Sequence, residues 1–311
     1  MFVTLIASGI WGNRPMRILL TGATGLIGQA VRTRLGADHD IVTLGRRETA
    51  DLRADLADPS AIAALDLPPI DALVHCAGVV DEDFRDNPER AMAMAVFGAD
   101  ALATRARAAG ARRLVYISSA HVYGPMVGRV DEASPFNPVS NYAIAHFATE
   151  QVFRRQVVAD VAALALRPCA VFGDLADPAG FRRWSLIPFS FPRDAVREHG
   201  ITIRSTGEQR RNFVGTRDIA STLAAWLAAA PEGWSAINPL GSFTGTVFEF
   251  ATLCAEVAQE LTGTPCTVTR VPPAGPTPGD DYDYASLSPY ARGDQPLRET
   301  LVRLMTAARE A

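Results

Sequence analysis

Apolar runs of strand length alternate with amphipathic runs of helical spacing through the first half of the chain. Residues 17–21 (Arg-Ile-Leu-Leu-Thr) read as a strand, 29–35 as a helix and 40–44 as the next strand. Residues 70–78 form a buried strand that ends in small side chains. Residues 88–109 are alanine-rich, with charges at intervals, and predict one long helix that Gly110 ends. A strand over 113–119 follows, then a helix over 141–158 and a strand over 161–167. Strands separated by helices pair in parallel, through right-handed crossovers that cover both faces. The prediction is an α/β fold, a doubly wound parallel sheet with a smaller C-terminal lobe.

After Gly173 the pattern weakens. Residues 174–209 are rich in Pro, Gly, Arg and Phe. Helices are expected at 216–229, 246–261 and 295–310, a strand at 234–238, and loop over the Pro-, Gly- and Asp-rich 271–289. The organisation implied is a dinucleotide-binding unit from 16–173 plus about 210–240, and a substrate lobe from 174–209 plus 241–311. Residues 1–15 are expected to be an extension outside the fold, mobile or lying on the surface.

Composition narrows the class. With 311 residues, 48% hydrophobic and 21% charged, the chain has the balance of a globular protein that buries a full core. A net charge of −4 leaves no electrostatic footprint for nucleic acid or an anionic membrane, and no apolar run is long enough to span a bilayer. Cys76, Cys169, Cys254 and Cys266 have neither metal-ligand nor disulfide spacing, which points to free thiols in a reducing cytoplasm and to no metal site.

The chemistry gathers at strand ends. Gly22, Gly25 and Gly28 follow the first strand at three-residue spacing and open a helix. Such a turn lets backbone N–H groups approach a pyrophosphate at a helix N-terminus. Later strands end in Arg46-Arg47, in His75-Cys-Ala-Gly78 and in Ser118-Ser119, and Tyr142 opens the helix after the serines. In open α/β sheets ligands bind beyond these carboxyl ends, so the hydroxyls of Ser119 and Tyr142 are placed to reach a substrate oxygen. Phe181 and Trp184 either stack on a base or sugar or anchor the smaller lobe.

Four segments carry a resemblance: Thr21-Gly-Ala-Thr-Gly-Leu-Ile-Gly28, Val74-His-Cys-Ala-Gly78, Tyr116-Ile-Ser-Ser-Ala-His-Val-Tyr-Gly124 and Leu166-Arg-Pro-Cys-Ala-Val-Phe-Gly173. A fifth is Gly207-Glu-Gln-Arg-Arg-Asn-Phe-Val-Gly-Thr-Arg-Asp218. In that order they resemble the extended short-chain dehydrogenase/reductases, the NAD-dependent epimerase/dehydratase family of nucleotide-sugar enzymes, with a Rossmann fold. The resemblance implies a cofactor site at Gly22, Thr24, Gly25, Leu26, Ile27 and Gly28, with Asp55 and Leu56 flanking adenine and Ala77 and Gly78 lining the path. It implies Ser119 as the group that orients the reacting oxygen and Tyr142 as acid/base, with His146 beside it against the cofactor ribose. It also places His121 by the substrate and Arg211 on the substrate diphosphate, where a planar guanidinium binds bidentately. Arg46 and Arg47 stand where NAD-specific members present a carboxylate, which favours NADP over NAD. The implied partner is a nucleotide-diphosphate sugar, and the implied assembly a homodimer.

Three departures matter. The family pattern is Tyr-x-x-x-Lys, and Tyr142-Ala-Ile-Ala-His146 puts histidine in the lysine's place. Without a neighbouring ammonium, a phenol titrating near pH ~10 is less readily ionised. Ala95 replaces an asparagine common in relatives. Either the relay is rebuilt through His121 or His146, or the chain is a weakened dinucleotide-binding sensor or assembly subunit. Ala120 and His121 replace the Asp-Glu pair of the dehydratases, which disfavours dehydration. The activity expected is epimerisation or ketone reduction on a nucleotide sugar; a non-sugar ketone substrate is the other enzymatic reading.

Overall fold

The computed structural model describes residues 14–271 and 282–310. Strands β1 (Arg17–Thr21), β2 (Asp40–Gly45), β3 (Leu52–Arg53), β4 (Ala72–His75) and β5 (Arg113–Ile117) alternate with helices α1 (Leu26–Gly36), α2 (Pro59–Ala63), α3 (Asp81–Asp86), α4 (Pro88–Met92) and α5 (Ala99–Ala108). Then come β6 (Gly128–Val130), α6 (Asn141–Arg154), β7 (Ala162–Leu166), β8 (Ala170–Phe172), α7 (Ile187–Arg197) and β9 (Gly200–Ile203). The remainder is β10 (Arg210–Gly215), α8 (Thr216–Ala228), β11 (Trp234–Ile237), β12 (Phe243–Thr246), α9 (Val247–Thr262), β13 (Thr267–Arg270), β14 (Tyr282–Tyr284) and α10 (Leu297–Glu310).

Seven strands form one parallel sheet in the order β3-β2-β1-β4-β5-β7-β11. Alternate residues of each strand feed opposite cores. Ile18 and Leu20 face Val31 and Leu35 of α1 and Leu223 and Trp226 of α8. Leu19 and Leu73 face Leu102 and Ala106 of α5 and Val152 and Phe153 of α6. With both faces covered, strands read as continuous apolar runs. The order reverses between β1 and β4, and that reversal opens a crevice at the carboxyl ends of the strands.

The helix expected over 88–109 is present in three registers: α4, a π-helical stretch over Ala93–Gly98, and α5. In the π stretch the Ala95 carbonyl accepts the Thr149 hydroxyl at 2.6 Å. Gly110, at φ 109°, ends the run as its position implied.

Beyond the main sheet the outcome departs from expectation. Strand β10, which the sequence reading did not predict, pairs with β8 and β12 in a separate three-stranded sheet. The weakly patterned 174–209 holds α7, with Pro192 inside it, and β9. These pack with α9 and α10 around Phe191, Phe213, Phe250 and Leu301. Proline and short strand length hid both elements from a periodicity reading. Thr246 and Glu249 cap α9 reciprocally, and Gly263, at φ 72°, closes it.

Of the predicted loop 271–289, residues 272–281 lie outside the described residues, but 282–284 form β14, paired with β6. Residues 1–13, and the expectation of a mobile tail there, also lie outside them; Arg14 is ion-paired with Asp71. Phe181 stands edge-on to Trp184 at 5.4 Å and against Phe189 at 4.6 Å, and Trp184 packs on the core of α7 and α9. Both aromatics thus anchor that lobe. Among the described residues the four cysteines are free thiols, no three His, Cys, Asp or Glu side chains converge on a metal position, and no helix is long and apolar enough to cross a membrane.

Candidate active site

The first half of the crevice is built from backbone. Gly22, at φ 69°, leaves no room for a side chain: a Cβ there would lie 2.6 Å from the Ala77 nitrogen. At Gly28 a Cβ would stand 2.0 Å from the Gly22 carbonyl oxygen, so helix and turn touch directly. Helix α1 starts after Gly25 with no side-chain cap and no acid in its first turn. Its leading N–H groups, on Leu26, Ile27 and Gly28, are therefore available to an anion. A cleft of 420 Å³ opens beside this turn, lined by Gly22, Thr24, Arg46, Arg47, Asp55, Leu56, Ala77 and Gly78. A bare helix start, small lining residues and cationic far walls fit the diphosphate and adenosine end of a dinucleotide.

Two further arginines line the cleft that the sequence did not mark. Arg90 of α4 grips both oxygens of Asp55, at 2.6 and 2.7 Å, while the Ala57 N–H donates to the same carboxylate at 3.0 Å. Arg182 reaches in from the segment before α7 and lies 3.7 Å from Asp86. Neither sits in a periodic or motif-like context, so no local signal distinguished it from a solvated charge.

The second half is built from side chains. Ser119 lies two residues beyond β5 and caps the short turn over Ala120–Tyr123; its Oγ accepts the His121 N–H at 3.3 Å and lies 3.1 Å from His121 Nδ1. Ser140 caps α6, accepting the Ala143 N–H at 3.2 Å, and so fixes the start of the helix that carries Tyr142. The His121 ring stands edge-on to the Tyr142 ring at 5.6 Å. Burial pushes the Tyr142 phenol above its ordinary pKa, opposed by hydrogen bonding from Ser119 and by the Arg183 guanidinium. The structure thus brings Ser119, His121 and Tyr142 together. It adds Arg183, which lies in the irregular segment and carried no sequence signal.

His146 lies one turn along α6, its ring 4.4 Å from that of Tyr142. Its Nδ1 is 2.6 Å from the Tyr116 hydroxyl, and its Nε2 is buried without a hydrogen bond. Burial drives its pKa down to about 3, so the ring is neutral near pH 7 and supplies no positive charge to the phenol. Gly78 joins the two halves: it lines the cofactor cleft, and a Cβ on it would sit 3.3 Å from His146 Cε1. The Ala95 carbonyl accepts the Thr149 hydroxyl of the same helix α6.

The other candidates fall elsewhere. Ser118 donates to Glu150 Oε1 at 2.6 Å, under the site, in a buried network that includes Arg167 and Tyr123. His75 is buried against the Thr21 hydroxyl at 2.7 Å, and burial lowers its pKa to about 4, the behaviour of a structural imidazole. Arg211 projects from β10, donates to the Arg210 carbonyl at 2.8 Å and stacks 5.6 Å from the Tyr282 ring centre.

The family model described as "NAD dependent epimerase/dehydratase family" matches residues 18–238. The chain is 30% identical over 318 residues to dTDP-6-deoxy-L-talose 4-dehydrogenase (NAD(P)(+)) of Kitasatospora kifunensis, covering 94% of this chain and 96% of that one. It is 33% identical to a UDP-glucose 4-epimerase of Mycolicibacterium smegmatis over 53% of this chain, spanning only 59% of that relative's length. The UDP-glucose 4-epimerase of Thermotoga maritima, solved with UDP-glucose, superposes with a TM-score of 0.75 at 20% identity, over 95% of this chain and 99% of that one. Glycine turn, parallel strand order and family match agree: the chain belongs to the NAD-dependent epimerase/dehydratase family.

Proposed function

We propose that this protein is an NAD(P)-dependent epimerase or ketoreductase acting on a nucleotide-diphosphate sugar. The observation that carries the reading is the grouping of Ser119, His121 and Tyr142, with the His146 ring between Tyr142 and Gly78 of the cofactor cleft. A nicotinamide supplies the hydride chemistry when bound. The chain's own part is proton management: Ser119 holds the substrate oxygen, and Tyr142 gives or takes its proton. The N–H groups after Gly25 would take the pyrophosphate, with Leu56 beside adenine. Arg46 and Arg47 would take a ribose 2′-phosphate, which supports NADP over NAD. Arg211 would grip the sugar's diphosphate, in a lobe formed by 174–209 and 241–311. The relatives named for UDP- and dTDP-sugars support this substrate class. Phe97, 67% exposed, and Ile144, 43% exposed, lie on neighbouring stretches before α5 and on α6, and support a homodimer formed through these helices.

The neutral His146 and the occupied Ala95 carbonyl favour a second reading, a dinucleotide-binding sensor without turnover. One experiment separates the two. The purified protein is loaded with NADPH or NAD and assayed on UDP- and dTDP-sugars beside Tyr142→Phe. Turnover that falls roughly 10²–10⁴-fold in the variant, with nucleotide affinity retained, supports the enzyme. Nucleotide binding with no turnover by the wild type on any of the sugars supports the sensor.

A further inference from the structure

Part of the cofactor cleft has apolar walls. Leu44, Leu56, Ala91 and Met94 line it, and the ion pair of Asp55 with Arg90 lines the same cleft. Two features fix that pair in place. Gly98, in the π-helical stretch, has no room for a side chain, because a Cβ there would overlap the Leu56 carbonyl oxygen. The main chain at Asp55-Leu56 is therefore pressed directly against the helix. Asn87 caps α4 by accepting the Arg90 N–H at 2.9 Å, which sets the backbone from which Arg90 projects.

The carboxylate is nearly saturated. An ionised carboxylate offers about four lone-pair sites. Oδ1 of Asp55 accepts the Ala57 N–H at 3.0 Å and Arg90 Nη2 at 2.7 Å. Oδ2 accepts the same Nη2 at 2.6 Å and, among the described residues, nothing else. One acceptor site is left, on Oδ2, in a partly exposed side chain that lines the cleft. Burial works against the charge, but the Ala57 N–H and Arg90 outweigh it and hold the carboxyl below its ordinary pKa. At neutral pH the group is an acceptor only.

We propose that Arg90 is a positioning residue for base recognition: by locking Asp55 with a single open lone pair, it makes the cleft select a 6-aminopurine over a 6-oxopurine. The inference rests on the nucleotide reading of the cleft, with the base between the apolar walls and its 6-position facing Asp55. An exocyclic amine donates to the open lone pair. A 6-oxo group sets acceptor against acceptor, and binding it well requires the carboxylate to turn. Arg90 prevents the turn. Without it Asp55 keeps only the Ala57 N–H, and Arg46 becomes the main cation acting on the carboxylate.

Equilibrium binding tests this without any sugar substrate. Fluorescence titration measures the affinity for NADPH or NADH, whichever binds more tightly, and for its deaminated analogue, which carries hypoxanthine in place of adenine. The wild type is expected to prefer the adenine nucleotide roughly tenfold or more, the worth of one hydrogen bond to a charged group. Arg90 is partly exposed, so its variants are expected to fold. Arg90→Ala should cut the preference severalfold by weakening the adenine nucleotide while leaving the analogue almost unchanged. Asp55→Asn should remove the preference, because its amide can turn an NH2 toward the 6-oxo group. A preference in Arg90→Ala equal to that of the wild type, or equal losses for both nucleotides, overturns the role of Arg90. A wild type that binds both nucleotides equally overturns the inference and leaves the nucleotide site standing. A wild type that binds neither overturns the nucleotide reading itself, so the two failures are told apart.

Discussion

The two halves of the crevice are made of different materials. The half that would face the adenosine and diphosphate is shaped by main chain: the Gly22 turn, the direct contact of Gly28 with Gly22, and the open N-terminus of α1. Its polar side chains line the cleft from just beyond β2 and β3 (Arg46, Arg47 and Asp55) and from α4 (Arg90). The half that would face the reacting sugar is shaped by side chains from four separated segments, held over a buried polar network. Main-chain shape tolerates variation around it so long as the glycines remain. A side-chain cluster can exchange one member, here the lysine for His146, and keep the rest of its geometry.

The strongest way to probe that contrast is to break one ion pair on each side. Beneath Ser119 and Tyr142, Arg167 donates to Glu150 at 2.8 and 3.0 Å, and the two side chains are 2% and 0% exposed. Arg167 also donates to the Tyr123 hydroxyl at 2.7 Å, and Tyr123 donates to Asn238 at 2.8 Å. Arg167→Ala strands a buried carboxylate and is expected to cost about 3–5 kcal/mol of folding free energy. On the other side, Arg90 and Asp55 are 43% and 38% exposed. Arg90→Ala should cost no more than ~1 kcal/mol, since water screens the pair and solvates the carboxylate left behind. Urea unfolding of both variants checks the contrast, and equal losses would dissolve it.

A smaller effect is expected at the cofactor end. If Arg46 and Arg47 contact a 2′-phosphate, Arg46→Ser with Arg47→Ser weakens NADPH binding roughly tenfold to a hundredfold, the worth of charge-assisted hydrogen bonds. NADH, which lacks the phosphate, should bind almost as before. Fluorescence titration with both nucleotides measures the ratio. Parallel losses for the two would assign the arginines to the diphosphate or to solvent.

What could be read from sequence follows the same division. The glycine turn and the succession of strands and helices needed only local patterns, because turns and continuous apolar runs are written in neighbouring residues. Ser119, Tyr142 and His146 were found because two motifs place them at a strand end and on one helix face. Arg183, Arg182 and Arg90 escaped notice because an arginine in an irregular or surface segment has no periodicity, and its role depends on where a distant element packs. Residues 210–215 gave no strand signal, and a short strand does not encode which sheet it joins: β10 pairs with β8 and β12. Pro192 concealed α7, since proline inside a helix contradicts propensity and is tolerated here on a buried face.

The smallest effect distinguishes the halves by acid. His75 underlies the glycine turn through Thr21, and His146 underlies the reactive half through Tyr116. Burial lowers their pKa values from the ordinary 6.5 to about 4 and about 3. The unfolded chain therefore binds protons at each site before the folded one does, and ΔG of unfolding rises with pH wherever that difference exists. The stabilisation is fully present above pH 6.5 and is lost as the pH falls toward 4 for His75 and toward 3 for His146. Each imidazole is expected to contribute roughly 1 kcal/mol per pH unit inside its window. Urea unfolding from pH 7 down to 4.5 should show the slope, His75→Gln and His146→Gln should each reduce it, and the two reductions should add, because the rings hydrogen-bond to different partners. Reductions that fail to add would mean that the stack of His75 on Tyr116 and of Tyr116 on His146, at 5.6 and 5.7 Å between ring centres, couples the two halves of the site through the sheet itself.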